Sequence, residues 1–392
     1  MNKTYCPLLF NEIYADSSGE YRLCCHAKTT ECSRKYKSQT HKPFEFFNSP
    51  EMEEKRNSIL SGKKLRECIK CYEMEDSTGQ SYRTKAFKKL HYTIDKNTGE
   101  KNINWPIDIN KVTLKLRING TYCNLSCYMC IPYNSSTRRN EMNKIYPEGW
   151  DFFSSSKFES VKHKEYDMIV NDIIDNIEKV NKIHITGGEP LQLPKHWELI
   201  ERIPSEHAKN IELVYDTNLT ELRYKNHSVF EIEDKFKSVI WGVSCDHYQD
   251  KLSWIRYPLQ VEQFEKNLKE MLNNGFRIDL NCTISILNIF DLWDIYKYYR
   301  NNFGLHMNFN SIVSTPRFLS IKNLPRKTKV KLLEYYKMPL FDNRGIDRFQ
   351  LIRTHLKLDG DETLLNQAFD YIEKLSANRN FDWKKLWPDF LK

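Results

Sequence analysis

Three cysteines crowd one short stretch of this chain, Cys123-Asn-Leu-Ser-Cys127-Tyr-Met-Cys130. Thiolates at a CxxxCxxC spacing on one loop can take three corners of a cubic [4Fe–4S] cluster. The fourth iron is then left without a protein ligand and open to a small molecule. A structural zinc site wants four ligands, commonly as two paired turns, and this stretch supplies no such pairing. Zinc and simple buried thiols are the competing readings. The second stretch with chemistry is Gly187-Gly188-Glu189-Pro190, directly after the strand-like Lys182–Thr186. Two glycines at the carboxyl end of a strand let a ligand approach the backbone closely, and Glu189 offers a carboxylate to an ammonium group. Alone, this turn reads as an ordinary βα connection. One βα unit after the cysteine loop, it falls at the same mouth of a sheet, where α/β folds place their sites.

The other cysteines raise a second metal question. The chain has eleven, an odd number, and most are clustered. In a reducing compartment clustered thiols point to metal or redox chemistry rather than disulfides. Cys6, Cys24, Cys68 and Cys71 form a set of four that could fully ligate an auxiliary cluster, with zinc at the same thiols as the competitor. Cys25 and Cys32 are alternates or spectators, and Ser81 and Arg83 follow the Cys68/Cys71 pair on a route that could lead to the active site. Cys245 and Cys282 sit on apolar strand faces and read as core thiols.

The elements that must position these residues follow from periodicity. Val112, Leu114, Leu116 and Ile118 alternate with polar residues, a strand pattern. Further strands are predicted at 182–186, 211–217, 238–245, 277–285 and 306–311. Helices are predicted at 166–180, 194–202, 259–272 and 290–300. Six strands with intervening helices imply parallel βα units, hence a partial or complete α/β barrel or an open α/β sheet. In the fifth strand Asp279, Asn281, Thr283 and Ser285 form a polar face that would line a cavity. Before this region, residues 1–88 read as irregular apart from a helix over 50–65, with a hairpin leading into Cys24 and Cys25. Residues 92–105 read as a linker or hairpin. After Pro316 the strand pattern stops, and helices are predicted at 327–337, 346–356 and 362–379, with Trp383 and Trp387 docking the tail. The expected domains are a cysteine-rich region at 1–105, the α/β region at 106–315 and a helical extension at 316–392.

Taken together, CxxxCxxC after the first strand and GGEP after the second resemble the radical S-adenosylmethionine (radical SAM) superfamily, in its twitch or SPASM-like subgroup. The later features Thr217-Asn218, Ser244-Cys245-Asp246, Ile255-Arg256-Tyr257-Pro258 and the segment 316–325 are similar as well. The resemblance implies a partial (βα)6 barrel whose Cys123, Cys127 and Cys130 ligate a catalytic [4Fe–4S] cluster. S-adenosylmethionine would chelate the unique iron, with its ammonium received at Gly187, Gly188 and Glu189. Thr217 and Asn218 would border the cofactor. Ser244, Asp246, Asn281 and Thr283 would contact ribose or carboxylate, and Arg256 would pair with the carboxylate through its planar fork. Met129 stands where many members carry an aromatic residue near the adenine, and it can fill the same apolar space. The N-terminal thiols resemble an auxiliary Fe–S module that in relatives follows the barrel, whereas here it precedes it.

The implied activity is reductive cleavage of S-adenosylmethionine to a 5′-deoxyadenosyl radical that abstracts hydrogen from a substrate. An electron donor such as a flavodoxin or ferredoxin is implied as partner. The substrate expected first is a peptide or protein side chain. A nucleotide or nucleic acid comes second, kept open by a net charge of +8 and basic stretches such as 325–331. A non-catalytic Fe–S or zinc binding module is the reading from another class. No apolar run is long enough to span a membrane and the N-terminus lacks a signal-peptide pattern, so a soluble, cytoplasmic protein with no membrane partner is expected.

Overall fold

The computed structural model describes residues 4–16, 18–94, 101–103, 111–117, 121–153, 163–341, 345 and 347–388. Among them the strands are β1 (Glu12–Ala15), β2 (Tyr21–Arg22), β3 (Tyr92–Ile94), β4 (Lys101–Ile103), β5 (Val112–Leu116), β6 (Val180–Ile185), β7 (Glu212–Thr217), β8 (Arg223–Tyr224), β9 (His227–Ser228), β10 (Ser238–Ser244), β11 (Ile278–Ile284) and β12 (Met307–Ile312). Eight of these form one sheet in the order β12-β11-β10-β7-β6-β5-β1-β2. Helices intervene between the sheet's successive strands β5, β6, β7, β10, β11 and β12, the βα succession of a partial (βα)6 barrel. The pairs β5/β6, β10/β11 and β11/β12 are parallel. Among the described residues no helix is long and apolar enough to cross a membrane.

The chain divides into two compact units. The first comprises residues 1–120, 159–214 and 230–239; the second comprises 121–158, 215–229 and 240–392. β7 and β10 therefore contribute residues to both.

In the first unit, the alternation predicted around 112–116 is seen as strand β5, whose Val112, Leu114 and Leu116 are buried. Ile118 lies outside the described residues. Strand β6 aligns with β5 from Val112↔Val180 to Leu116↔Ile185. Helix His163–Asp175 turns Ile169, Val170 and Ile173 inward. Two features of the N-terminal region differ from the sequence expectation. Strand β1 pairs in parallel with β5, from Glu12↔Thr113 to Ala15↔Leu116. Its four residues are all buried, so it shows no polar–apolar alternation to read. The region is also more helical than expected, because its helices are short and locally capped rather than amphipathic. Pro43–Phe47 starts with proline in the first turn and buries Phe44, Phe46 and Phe47. Ile69–Thr78 ends at Gly79, whose φ of 71° makes a left-handed cap. The hairpin leading toward Cys24 is present as antiparallel β1/β2, and β3/β4 make the hairpin expected after residue 92. Trp105 lies outside the described residues.

In the second unit, β10, β11 and β12 carry a core that includes Trp241, Leu280 and Phe309, all fully buried. Tyr215 stacks on Trp241 with centroids 4.6 Å apart. The C-terminal helices run over Arg326–Tyr335, Gln350–Leu356 and Leu364–Arg379. Trp383 and Trp387 are buried, and Trp387 meets the Trp254 ring edge-on at 5.5 Å. The tail docks as its aromatic residues predicted.

Candidate functional site

The cysteine loop, in the second unit, has little regular structure of its own and is held by hydrogen bonds to distant segments. The Ser126 and Tyr128 amides donate to the carbonyls of Tyr257 and Ile255, at 2.6 and 2.9 Å. Ser135 donates from its hydroxyl to Leu125 O at 2.8 Å, and Thr137 to Cys123 O at 2.5 Å. Both hydroxyls come from the start of helix Ser136–Ile145, where Ser135 is also the N-cap.

Donors are aimed at the sulfurs. Leu125 N–H lies 3.5 Å from Cys123 Sγ, Asn218 Nδ2 lies 3.9 Å from it, and Arg256 Nη1 lies 3.7 Å from Cys127 Sγ. Burial pushes the Cys127 thiol up; Arg256, and more weakly Arg379 and Arg138, act against that. N–H groups and cations around sulfur are the surroundings a ligating thiolate needs, and they are one means of setting a cluster potential. The loop's chemistry thus fits an iron–sulfur group. Among the described residues, no three or more His, Cys, Asp or Glu side chains form a group able to hold a metal ion as placed.

Two of the sequence candidates serve this loop rather than standing apart from it. Asn218, just beyond β7, donates to Asn124 Oδ1 at 2.8 Å and accepts from the Thr220 amide at 3.0 Å. Asn124 in turn donates to the Thr220 hydroxyl at 2.9 Å, closing a ring of amides and hydroxyl behind Cys123. Thr217 is spent on its own turn, accepting from Leu219 N at 3.0 Å. Arg256 is buried against Asp246, with Nη2 2.8 Å from Oδ2. Asp246 Oδ1 accepts from the Thr283 amide at 2.7 Å. Burial raises the Asp246 carboxyl, and Arg256 opposes that shift. Ser244 and Asn281 are register partners across β10/β11, and Asn281 accepts from Asn308 Nδ2 at 3.4 Å. Met129 is half-buried. Cys245 and Cys282 are buried, as expected of core thiols, and burial pushes the Cys245 thiol up to about 12.

Sequence reasoning missed a buried charge network behind the same loop. Arg138 pairs with Glu141 one helical turn away, and Arg379 reaches Glu141 with Nε 2.7 Å from Oε1. All three are buried. The two guanidiniums outweigh desolvation and hold the Glu141 carboxyl down to about 2. Desolvation lowers Arg138 to about 10. The one sequence signal was Arg138 and Glu141 at i,i+3, a spacing equally typical of an exposed helix pair. Nearby, His247 is buried, with Nε2 2.9 Å from Asp291 Oδ2 and Nδ1 accepting from the Tyr248 amide. A cavity of about 470 Å³ opens past the carboxyl end of β12, lined in part by Ser314, Arg317, Lys322, His355 and Gly360.

In the first unit, the glycine turn takes left-handed backbone conformations that glycine adopts readily. Gly187 and Gly188 take φ of 94° and 56°. A Cβ on Gly187 would stand 3.3 Å from Arg117 O at the end of β5. Glu189 is buried, and its Oε1 accepts from the Leu191 amide at 3.2 Å, capping the turn Pro190–Gln192.

The N-terminal thiols share one neighbourhood of this unit. Cys6, Cys24, Cys68 and Cys71 are all buried. Burial raises the Cys6 thiol, with Cys68 and Cys71 adding to the rise and Arg83 opposing it. Cys24 is raised by burial and then by Cys6 and Cys25. Cys68 is pushed up to about 12 by burial, then by Cys71. Arg83 donates to Tyr5 O at 2.7 Å and pairs with Glu75, which also accepts from Ser81. Cys25 is half-buried and accepts from Lys115 Nζ at 3.5 Å. The Cys32 side chain lies outside the described residues.

With this geometry in view, residues 120–298 match the Radical SAM superfamily. The matched stretch is a little under half of the chain. A GTP 3′,8-cyclase of Campylobacter lari is 28% identical over 178 residues, covering 45% of this chain and 48% of that protein. The chain thus spans about half the length of the curated relative it matches. Among solved structures, anSMEcpe with bound AdoMet is similar at 16% identity and a TM-score of 0.40, covering 57% of this chain and 58% of that one. SuiB of Streptococcus suis bound to S-adenosylmethionine is similar at 18% identity and a TM-score of 0.36, covering 75% and 58%. The matched residues include both the cysteine loop and the glycine turn.

Proposed function

We propose that this protein is a radical SAM enzyme in which Cys123, Cys127 and Cys130 ligate a [4Fe–4S] cluster. The observation that carries the reading is the cysteine loop itself. Its backbone is tied down on both sides of Cys127, and Asn218 and Arg256 point donors at its sulfurs. When bound, the cluster supplies the electron that cleaves S-adenosylmethionine to a 5′-deoxyadenosyl radical. The chain's own part is to bind and orient. The turn at Gly187, Gly188 and Glu189 receives the methionine ammonium, its open backbone allowing close approach. In this reading Ser244, Asp246, Asn281 and Thr283 contact the ribose or carboxylate, and Met129 packs near the adenine. Arg256 remains the carboxylate partner in this reading, although Asp246 already neutralises part of its charge.

The substrate is a peptide or protein side chain, a reading that rests on the twitch or SPASM-like character of the sequence. A second reading, modification of a nucleotide, is favoured by the similarity to a GTP 3′,8-cyclase. We assign Cys6, Cys24, Cys68 and Cys71 to an auxiliary Fe–S cluster, supported by their burial and by the electrostatic coupling of Cys6 to each of the other three. A flavodoxin or ferredoxin supplies electrons in the cytoplasm.

Anaerobic reconstitution tests the reading directly. The expected result is about eight irons per chain, falling to about four in a Cys123→Ala/Cys127→Ala/Cys130→Ala variant. That variant should lose dithionite-dependent formation of 5′-deoxyadenosine from S-adenosylmethionine. Cleavage that persists in it would overturn the assignment. Deuterium transfer from deuterated GTP to 5′-deoxyadenosine, but not from deuterated peptides, would replace the peptide reading with the nucleotide one.

A further inference from the structure

The last long helix of the chain reaches the cysteine loop. Arg379, the final residue of helix Leu364–Arg379, donates from Nη2 to Ser126 O at 2.5 Å and from Nη1 to Trp254 O at 2.7 Å. Its Nε and Nη2 also hold the two oxygens of Glu141, at 2.7 and 2.8 Å. Glu141 accepts from the Ser126 hydroxyl and pairs with Arg138. Arg138 Nη2 donates to Tyr128 O at 3.2 Å. Tyr371, two turns before Arg379 on the same helix, donates to that carbonyl at 2.5 Å and accepts from Arg138. The carbonyls bound are those immediately before and immediately after Cys127.

We propose that Arg138, Glu141, Tyr371 and Arg379 form a clamp that fixes the position of Cys127, making the C-terminal helix part of the cluster site. These are positioning residues: they act on the ligand through the backbone carbonyls of the residues on either side of it, Ser126 and Tyr128. The geometry favours this over simple packing for two reasons. Burying two guanidiniums and a carboxylate is costly, and a buried ion network generally adds less stability than apolar side chains of the same volume. Each cation also spends a donor on a carbonyl of the loop. The network leaves one net positive charge beside a site that carries anionic thiolates, which favours the more reduced state of a group held there.

The proposal rests on Cys127 being a cluster ligand. Its test compares Arg379→Gln, Arg379→Lys, Tyr371→Phe and Leu375→Ala with wild type, after anaerobic reconstitution. Leu375 is fully buried on the same helix, between Tyr371 and Arg379, and has no polar group of its own, so it reports the cost of loosening the helix without removing a clamp hydrogen bond. The readouts are iron content, the midpoint potential from an EPR-monitored redox titration, and the change in the reduced-cluster EPR signal on adding S-adenosylmethionine. Arg379→Gln is expected to move the potential negative and weaken the S-adenosylmethionine-induced change at least tenfold. Arg379→Lys should restore the potential toward wild type, since it keeps the charge, while the spectral change stays impaired. Tyr371→Phe should show a milder form of the same impairment, and Leu375→Ala should lose stability with an unchanged potential. Arg379→Gln and Leu375→Ala behaving alike, both with the wild-type potential and signal, would overturn the clamp and leave the cluster assignment standing. A wild-type protein that takes up no iron at Cys123, Cys127 and Cys130 would overturn both.

Discussion

Replacing Glu141 by glutamine keeps the shape of the side chain and removes the charge that two buried arginines face. The structure sets the size of the effect. Glu141 is held down to about 2 against an ordinary value of 4.5, with 6% of its side chain exposed. That difference corresponds to roughly 3 kcal/mol of stability at neutral pH. Uncovering the guanidiniums gives a similar figure from another direction, about 3–5 kcal/mol for breaking a buried ion pair. The sign follows from the direction of the shift. A carboxyl depressed in the folded state contributes fully above its unfolded value of 4.5, and that contribution is lost as pH falls toward 2. Glutamine does not titrate, so the gap between wild type and Glu141→Gln should be widest at pH 7. By pH 3.5 it should have narrowed by roughly 1 kcal/mol. Urea unfolding of both proteins at pH 7, 5 and 3.5, followed by circular dichroism, measures it. A gap below about 1 kcal/mol at pH 7, or one that does not change with pH, would show that Glu141 does not hold an ion network in solution.

Two glycines give further tests. Gly187→Ala combines a φ of 94° with a Cβ 3.3 Å from Arg117 O, which should cost about 1–3 kcal/mol and deform the turn. S-adenosylmethionine affinity, read by equilibrium dialysis, should fall at least roughly tenfold with iron content retained; unchanged affinity would remove the turn from the cofactor site. Gly360→Ala would place its Cβ 2.1 Å from Lys322 O, forcing apart the two segments that line the cavity past β12. The urea midpoint should drop by the equivalent of about 1–3 kcal/mol, and a midpoint that stays put would show that Gly360 is not in close contact with the Lys322 backbone in solution.

How much of this was legible in the sequence depends on how local each signal was. The βα succession was readable because each strand and helix carries its own period: helix Pro194–Arg202 has the predicted bounds, and strands β7 and β10 start or end within one residue of them. Strand β1 was not readable, because a four-residue strand buried throughout has no alternation and resembles any short apolar run. At the site, residue types and spacing pointed to the three cysteines and the glycine turn. The bonds that hold the loop could not be found that way. Ser126 and Arg379 are 253 residues apart, and a hydrogen bond at that separation leaves no pattern in one sequence. Asn218 shows the intermediate case. Its position after β7 marked it as a site residue, but only the structure shows it bonded to Asn124 beside Cys123.

The segment 254–257 explains why so short a loop can be held in one place. A loop bearing three ligands cannot be a helix or a strand and still turn every thiol toward one group, so it must borrow its hydrogen-bond partners from elsewhere. It borrows them here from consecutive residues. Ile255 and Tyr257 give their carbonyls to the amides of Tyr128 and Ser126, a short ladder much like that between strands. Trp254 gives its carbonyl to Arg379, and Arg256 sends its side chain to Cys127 and Asp246. Arg379 bonds both Trp254 O and Ser126 O, so it grips the ladder from both sides. A change anywhere in this segment therefore reaches Cys127 through backbone as well as side chain. For that reason Arg256 cannot be understood through its charge alone: moving its guanidinium toward a ligand carboxylate would also loosen its hold on Asp246 and, through it, on the Thr283 amide of β11.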